Sequence, residues 1–151
     1  MATIQEDGLK QRQRIETAAA AIAEANPGSP PDTVIILGTG LGGLVDEISD
    51  KTSIDYASIP DFPQSTAPGH AGALHFGQIG SKRVMCFQGR FHLYEGYSME
   101  DVVMPMRTAA RLGVSSAIIS NCCGGLAPNL QKGDLLILDD HIHLLRSEAH
   151  V

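Results

Sequence analysis

The sequence predicts an α/β fold: one domain with a mixed, largely parallel central sheet flanked by helices. Three observations lead there. Short, β-branched apolar runs at 33–37 and 116–120 read as strands buried on both faces. Stretches with helical apolar spacing alternate with strand-like runs. Apolar runs also pass directly into glycine-rich loops, as strands of open α/β sheets do.

The elements follow in chain order. Ile15, Ala18, Ala19 and Ile22 recur at i, i+3, i+4 and i+7, one apolar stripe of a helix over 9–25. Asn26-Pro27-Gly28 stops it. The strand at 33–37 enters GTGLGG, and a short helix is expected over 41–48. Residues 57–72 carry three prolines and two glycines and read as an irregular loop. Residues 73–79 and 83–88 form a strand pair turned at Gly80-Ser81. The polar loop QGRFHLYEGY follows. Ser98 with Asp101 three residues on is a capping-box arrangement. That helix runs to Leu112, and Gly113 ends it. The strand at 116–120 turns out through NCCGG, and residues 134–138 read as a last strand.

Composition narrows the function. The 151 residues are 43% hydrophobic and 19% charged, with net charge −6. The densest basic stretch is KQRQR at 10–14, which is no nucleic-acid patch. No apolar run approaches the roughly 18 residues of a membrane helix. The polar first residues lack the apolar centre of a secretion signal, so a cytoplasmic location is expected. The cysteines, Cys86, Cys122 and Cys123, are odd in number, which argues against a disulfide framework. His70, His75, His141 and His143 are scattered, and no metal site is expected. The whole of 1–151 reads as one domain, with a helix and loop over 1–30 and a distinct tail at 144–151.

Three loops carry the candidate chemistry: GTGLGG, QGRFHLYEG and NCCGG. Gly38, Gly40 and Gly43 match G-x-G-x-x-G, and Asp55 follows at a suitable distance for a dinucleotide site. The helix after the glycines is too short for that reading, and no Walker lysine follows. The other reading is an anion pocket. Loop N–H groups and the Thr39 hydroxyl suit an anion. Arg90 can bind phosphate bidentately, with His92 two residues away. In extended backbone, Arg90, His92 and Tyr94 share one side and Phe91 and Leu93 the other. A surface ion pair between Arg90 and Glu95 is the plainer alternative for that arginine.

In order and spacing, GTGLGGL, FPQSTAPGHAG, QGRFHLYEGY and SNCCGGLAPNLQKGDLLILDDHI resemble the trimeric, low-molecular-mass purine-nucleoside phosphorylases. The likeness runs over 34–142. It implies phosphorolysis of inosine- or guanosine-type nucleosides to free base and ribose 1-phosphate. No cofactor is implied; inorganic phosphate is a co-substrate. By resemblance, Thr39, His70, Arg90, His92 and the Cys122 backbone bind phosphate, with Arg90 and His92 catalytic. Tyr94 and His70 lie at the ribose. The family usually has Ala-Ala where Cys122-Cys123 stand, and Ser where Thr39 stands. Its purine-recognising residues belong to a later part of the family sequence, and residues 144–151 depart from its pattern. A homotrimer is implied. The alternatives are a fragment that retains only a phosphate site, a methylthioadenosine phosphorylase relative, and a Rossmann-like cofactor module.

Overall fold

The computed structural model of the chain describes residues 4–26, 28–64, 72–142 and 144. His70, His143 and residues 145–151 of the expected tail lie outside them. Two helices and five strands are present: α1 (Ile4–Ala25), β1 (Thr33–Ile36), β2 (Ser49–Asp55), β3 (Ala73–Ile79), β4 (Lys82–Gln88), α2 (Met99–Arg111) and β5 (Ser116–Ile119). Three short 3-10 segments, Gly42–Glu47, Tyr56–Ser58 and Leu93–Glu95, complete the order.

The strands make one sheet in the order β2-β3-β4-β1-β5. β1 pairs in parallel with β4 and with β5, whereas β2-β3 and β3-β4 are antiparallel. The sheet is therefore mixed in equal parts. β1 lies inside it, and its side chains alternate between two cores. Val34 and Ile36 face a cluster with Ala18 and Ile22 of α1, Met104 and Ala109 of α2, and Tyr56, Phe62, Phe87 and Phe91. Ile35 and Leu37 face a smaller cluster with Val45, Ile48, Val84 and Cys86. Both long helices thus cover one face, and the Gly42–Glu47 segment covers part of the other.

Several elements differ from the sequence expectation. α1 begins at Ile4 rather than residue 9; Glu6 and Asp7 sit in its first turn, where the helix dipole favours acids. The expected helix over 41–48 is the 3-10 segment Gly42–Glu47. β2 is a strand that the sequence did not announce, because SDKTSID is polar and lies on the sheet edge. β5, the last strand of the sheet, is exposed along its length rather than buried on both faces. Residues 134–138 form no strand. Their apolar side chains have no ladder partner among the described residues, and Leu135 and Ile137 stand 89% and 97% exposed.

Other expectations are met. β3 and β4 form the hairpin turned at Gly80. Ser98 caps α2, its Oγ accepting the Asp101 N–H at 3.2 Å. Gly113 takes φ +84° where that helix stops. Arg14 of α1 reaches the Asp101 carboxylate at 2.8 Å and straps the two helices together.

Candidate functional site: three loops at one sheet edge

Because β4, β1 and β5 run parallel and adjacent, the loops after them leave from the same end of the sheet, beyond the carboxyl ends of the strands. These are the loops that begin at Gly89, Leu37 and Ser120. Backbone N–H groups and side chains placed beyond that end can share one ligand.

The first and third loops are in direct contact. The Gly38 N–H donates to the Ser120 hydroxyl at 2.9 Å, and that hydroxyl donates to the Ile36 carbonyl at 3.2 Å. A Cβ at position 38 would lie 2.6 Å from the Ser120 carbonyl oxygen and 3.0 Å from Asn121 Cα. Only glycine permits this approach. Thr39 follows immediately and is exposed, as are Cys122 and Cys123.

The second loop closes the group. Arg90 Nη1 donates to the Ser120 carbonyl at 2.7 Å, and Arg90 Nε donates to His92 Nε2 at 3.2 Å. His92 Nδ1 is 2.5 Å from Glu95 Oε1, and the His92 backbone N–H donates to the same oxygen at 3.1 Å. These bonds set the tautomer. Nε2 accepts from arginine, so the ring proton is on Nδ1 and points at the carboxylate. Tyr94 stacks on His92, with ring centroids 4.6 Å apart and planes 20° apart, and is 81% exposed.

An aromatic base supports this loop. The buried Tyr56 hydroxyl donates to the Gly89 carbonyl at 2.7 Å, and its ring packs edge-on to Phe62 and against Phe87 and Phe91. Phe91 is buried, on the opposite side from Arg90 and His92, as the alternation predicts. Leu93 does not follow it inward: the chain turns into a 3-10 segment there and leaves Leu93 exposed. Burial raises the Tyr56 phenol well above its usual range, with the nearby Cys86 thiol adding to the effect. Burial likewise pushes Cys86 up to about 12.

The structure brings Arg90, His92, Gly38 and Ser120 to one place, with Thr39, Tyr94 and Cys122 on the same loops. His70 lies outside the described residues. Sequence reasoning missed Ser120 as the junction of all three loops, Glu95 as the partner of His92, and Tyr56 beneath Gly89. A hydroxyl at a strand end and an acid three residues after a histidine were the available signals. Among the described residues no cluster of His, Cys, Asp and Glu could hold a metal ion, and no helix is long and apolar enough to cross a membrane.

Known proteins resemble the chain in sequence and in fold. The chain is 47% identical over 134 residues to purine nucleoside phosphorylase 1 of Bacillus subtilis, covering 89% of this chain and 49% of that protein. It is 46% identical over 114 residues to purine nucleoside phosphorylase of Bos taurus, covering 76% and 39%. A crystal structure of the Schistosoma mansoni enzyme with acetate superposes with a TM-score of 0.74 at 42% identity, over 81% of this chain and 44% of that one. The chain thus spans about half the length of the curated relatives it matches. The profile of the Phosphorylase superfamily covers residues 32–150, from the strand before the first glycine loop through all three loops, and the chain belongs to that superfamily.

Proposed function

We propose that this chain supplies the phosphate- and ribose-binding part of a purine-nucleoside phosphorylase. The observation that carries the reading is the convergence of Arg90, His92 and the Gly38–Ser120 junction beyond the carboxyl ends of β4, β1 and β5. The relatives are named for this activity, and solved neighbours include complexes with ribose-1-phosphate and with inosine.

In the reaction, a phosphate oxygen bonds to C1′ as the C1′–N bond to the purine breaks. The electrons of that bond leave with the base, and the sugar develops positive charge, as in other glycosyl transfers. Phosphate fixed beneath C1′ is nucleophile and counter-charge together, so positioning lowers the barrier. Arg90 supplies a guanidinium fork for two phosphate oxygens. Thr39 and the N–H groups of the glycine loops add donors without adding charge. His92 Nε2 accepts from Arg90 and so helps to fix the guanidinium that faces the phosphate. Glu95 in turn holds the His92 ring through Nδ1. Tyr94 lies against the ribose; a role of His70 there rests on the family resemblance alone. The purine contacts are not assigned to residues of this chain, and the homotrimer belongs to the same reading.

Titration calorimetry separates this from the cofactor alternative. The chain should bind inorganic phosphate and not NAD. Binding of NAD without phosphate would overturn the proposal.

A further inference from the structure

His75 lies on β3, away from the three loops, and is 7% exposed. Its ring bridges two neighbouring strands. Nδ1 is 2.7 Å from the Ser53 hydroxyl on β2, and Nε2 is 3.0 Å from the Gln88 amide oxygen on β4. The Gln88 amide nitrogen in turn donates to the Gly42 carbonyl at 3.1 Å. The sheet register explains the row. Ser53 stands opposite His75 and His75 opposite Cys86, so Gln88, two residues along β4, points to the same face. Gly42 belongs to GTGLGG, the loop of Thr39.

The donors and acceptors have one consistent assignment. An amide oxygen only accepts, so His75 Nε2 carries the ring proton and Nδ1 accepts from Ser53. The amide orientation is fixed independently by the Gly42 carbonyl, which can only accept and so takes the NH2 side of Gln88. In the reversed orientation, the amide NH2 would face the ring N–H, donor against donor. The amide oxygen would face the Gly42 carbonyl, acceptor against acceptor. The bonds therefore form one consistent row that ties a buried ring to the backbone of the candidate phosphate loop.

We propose that His75 is a positioning residue for that loop. Through Gln88 it holds the Gly42 carbonyl and so fixes the direction of the loop N–H groups over 38–43. The ligand in this inference rests on the phosphate reading above; the effect on the loop does not.

Two measurements on the full chain test it. A long-range proton–nitrogen spectrum should show the Nε2–H tautomer of His75. His75→Leu should shift the amide peaks of Gly38, Gly40, Gly42 and Gly43 and raise the phosphate Kd about 3- to 10-fold, the loss of one hydrogen bond. His75→Gln keeps a donor near the Nε2 position and should restore the affinity to within about twofold. Gln88→Met, which leaves the ring in place, should shift the same glycine peaks and covers the case in which His75→Leu fails to fold. An Nδ1–H tautomer, or unmoved glycine peaks in both His75→Leu and Gln88→Met, overturns the inference. If the unmodified chain binds no phosphate, the phosphate reading fails while the glycine peaks still decide the role of His75.

Discussion

Arg90 donates to the backbone carbonyl of Ser120 at 2.7 Å, which fastens the loop after β4 to the loop after β5. The same arginine touches His92, so its side chain is anchored in a defined place before any ligand arrives. Arg90→Ala should cost about 1.5–3 kcal/mol of phosphate affinity, the usual worth of a hydrogen bond to a charged group. Calorimetry reads this directly, and an unchanged affinity would remove Arg90 from the site.

Ser120→Ala should destabilise the protein by about 1–3 kcal/mol, because the buried Gly38 N–H loses its acceptor. Phosphate affinity should fall as well, since the first and third loops lose their link. Denaturant melts together with calorimetry check both effects. A change in stability without a change in affinity would separate the junction from the anion pocket.

Alkaline pH should weaken the fold through Cys86 and Tyr56. Both are buried and hold their protons more tightly folded than unfolded. Unfolded chains release the Cys86 proton from about pH 9.0, whereas the folded chain keeps it to about 12. The unfolded state therefore binds fewer protons in that window, and stability falls as pH rises through it. The cysteine alone contributes a slope approaching ~1.4 kcal/mol per pH unit. Urea melts between pH 8 and 11 should show the decline, and Cys86→Ala should make it shallower.

Ser98→Ala should cost about 0.5–2 kcal/mol by uncapping α2. The Asp101 carboxylate is held low: burial opposes this, but the bonds from Ser98 and Arg14 outweigh it. A depressed carboxylate stabilises above its unfolded value, and that contribution is lost as pH falls through the folded one. Acid melts of Ser98→Ala should accordingly show a weaker loss of stability on acidification than the parent chain.

The apolar side chains of Leu126, Leu135, Ile137 and Leu138 stand largely exposed, and β5 is the last strand of the sheet. Such surfaces associate. The 151 residues on their own should self-associate rather than give a clean trimer, and Leu135→Lys with Ile137→Lys should reduce this. Light scattering after size exclusion measures it; a monodisperse parent chain would contradict the expectation.

Much of the fold was legible because it rests on local chemistry. The stripe Ile15–Ala18–Ala19–Ile22, the Ser98–Asp101 box and the run at 33–37 each announce their element. β2 was not legible, since its pairing with β3 gives a polar edge strand order that its own residues do not demand. Burial of 116–120 and 134–138 was misread for a related reason: an apolar run shows what a segment prefers, and its neighbours decide whether that preference is met. In the site, GRFH and the glycine loops could be read as one pocket. Ser120 could not be picked out, because its importance comes from lying beside Gly38 and Arg90 in space.

The central place of β1 also has a consequence in time. Thr33 pairs with Val84 on one side and with Ser116 on the other, so the pocket exists only after distant parts of the chain have met. Such non-local pairing makes folding slow. As the chain emerges from the ribosome, the helix α1 and the β3-β4 hairpin can form from neighbouring residues, but the proposed phosphate site cannot form until Ser120 is out. Capture of phosphate would then mark the late, sheet-closing step of folding rather than the early collapse.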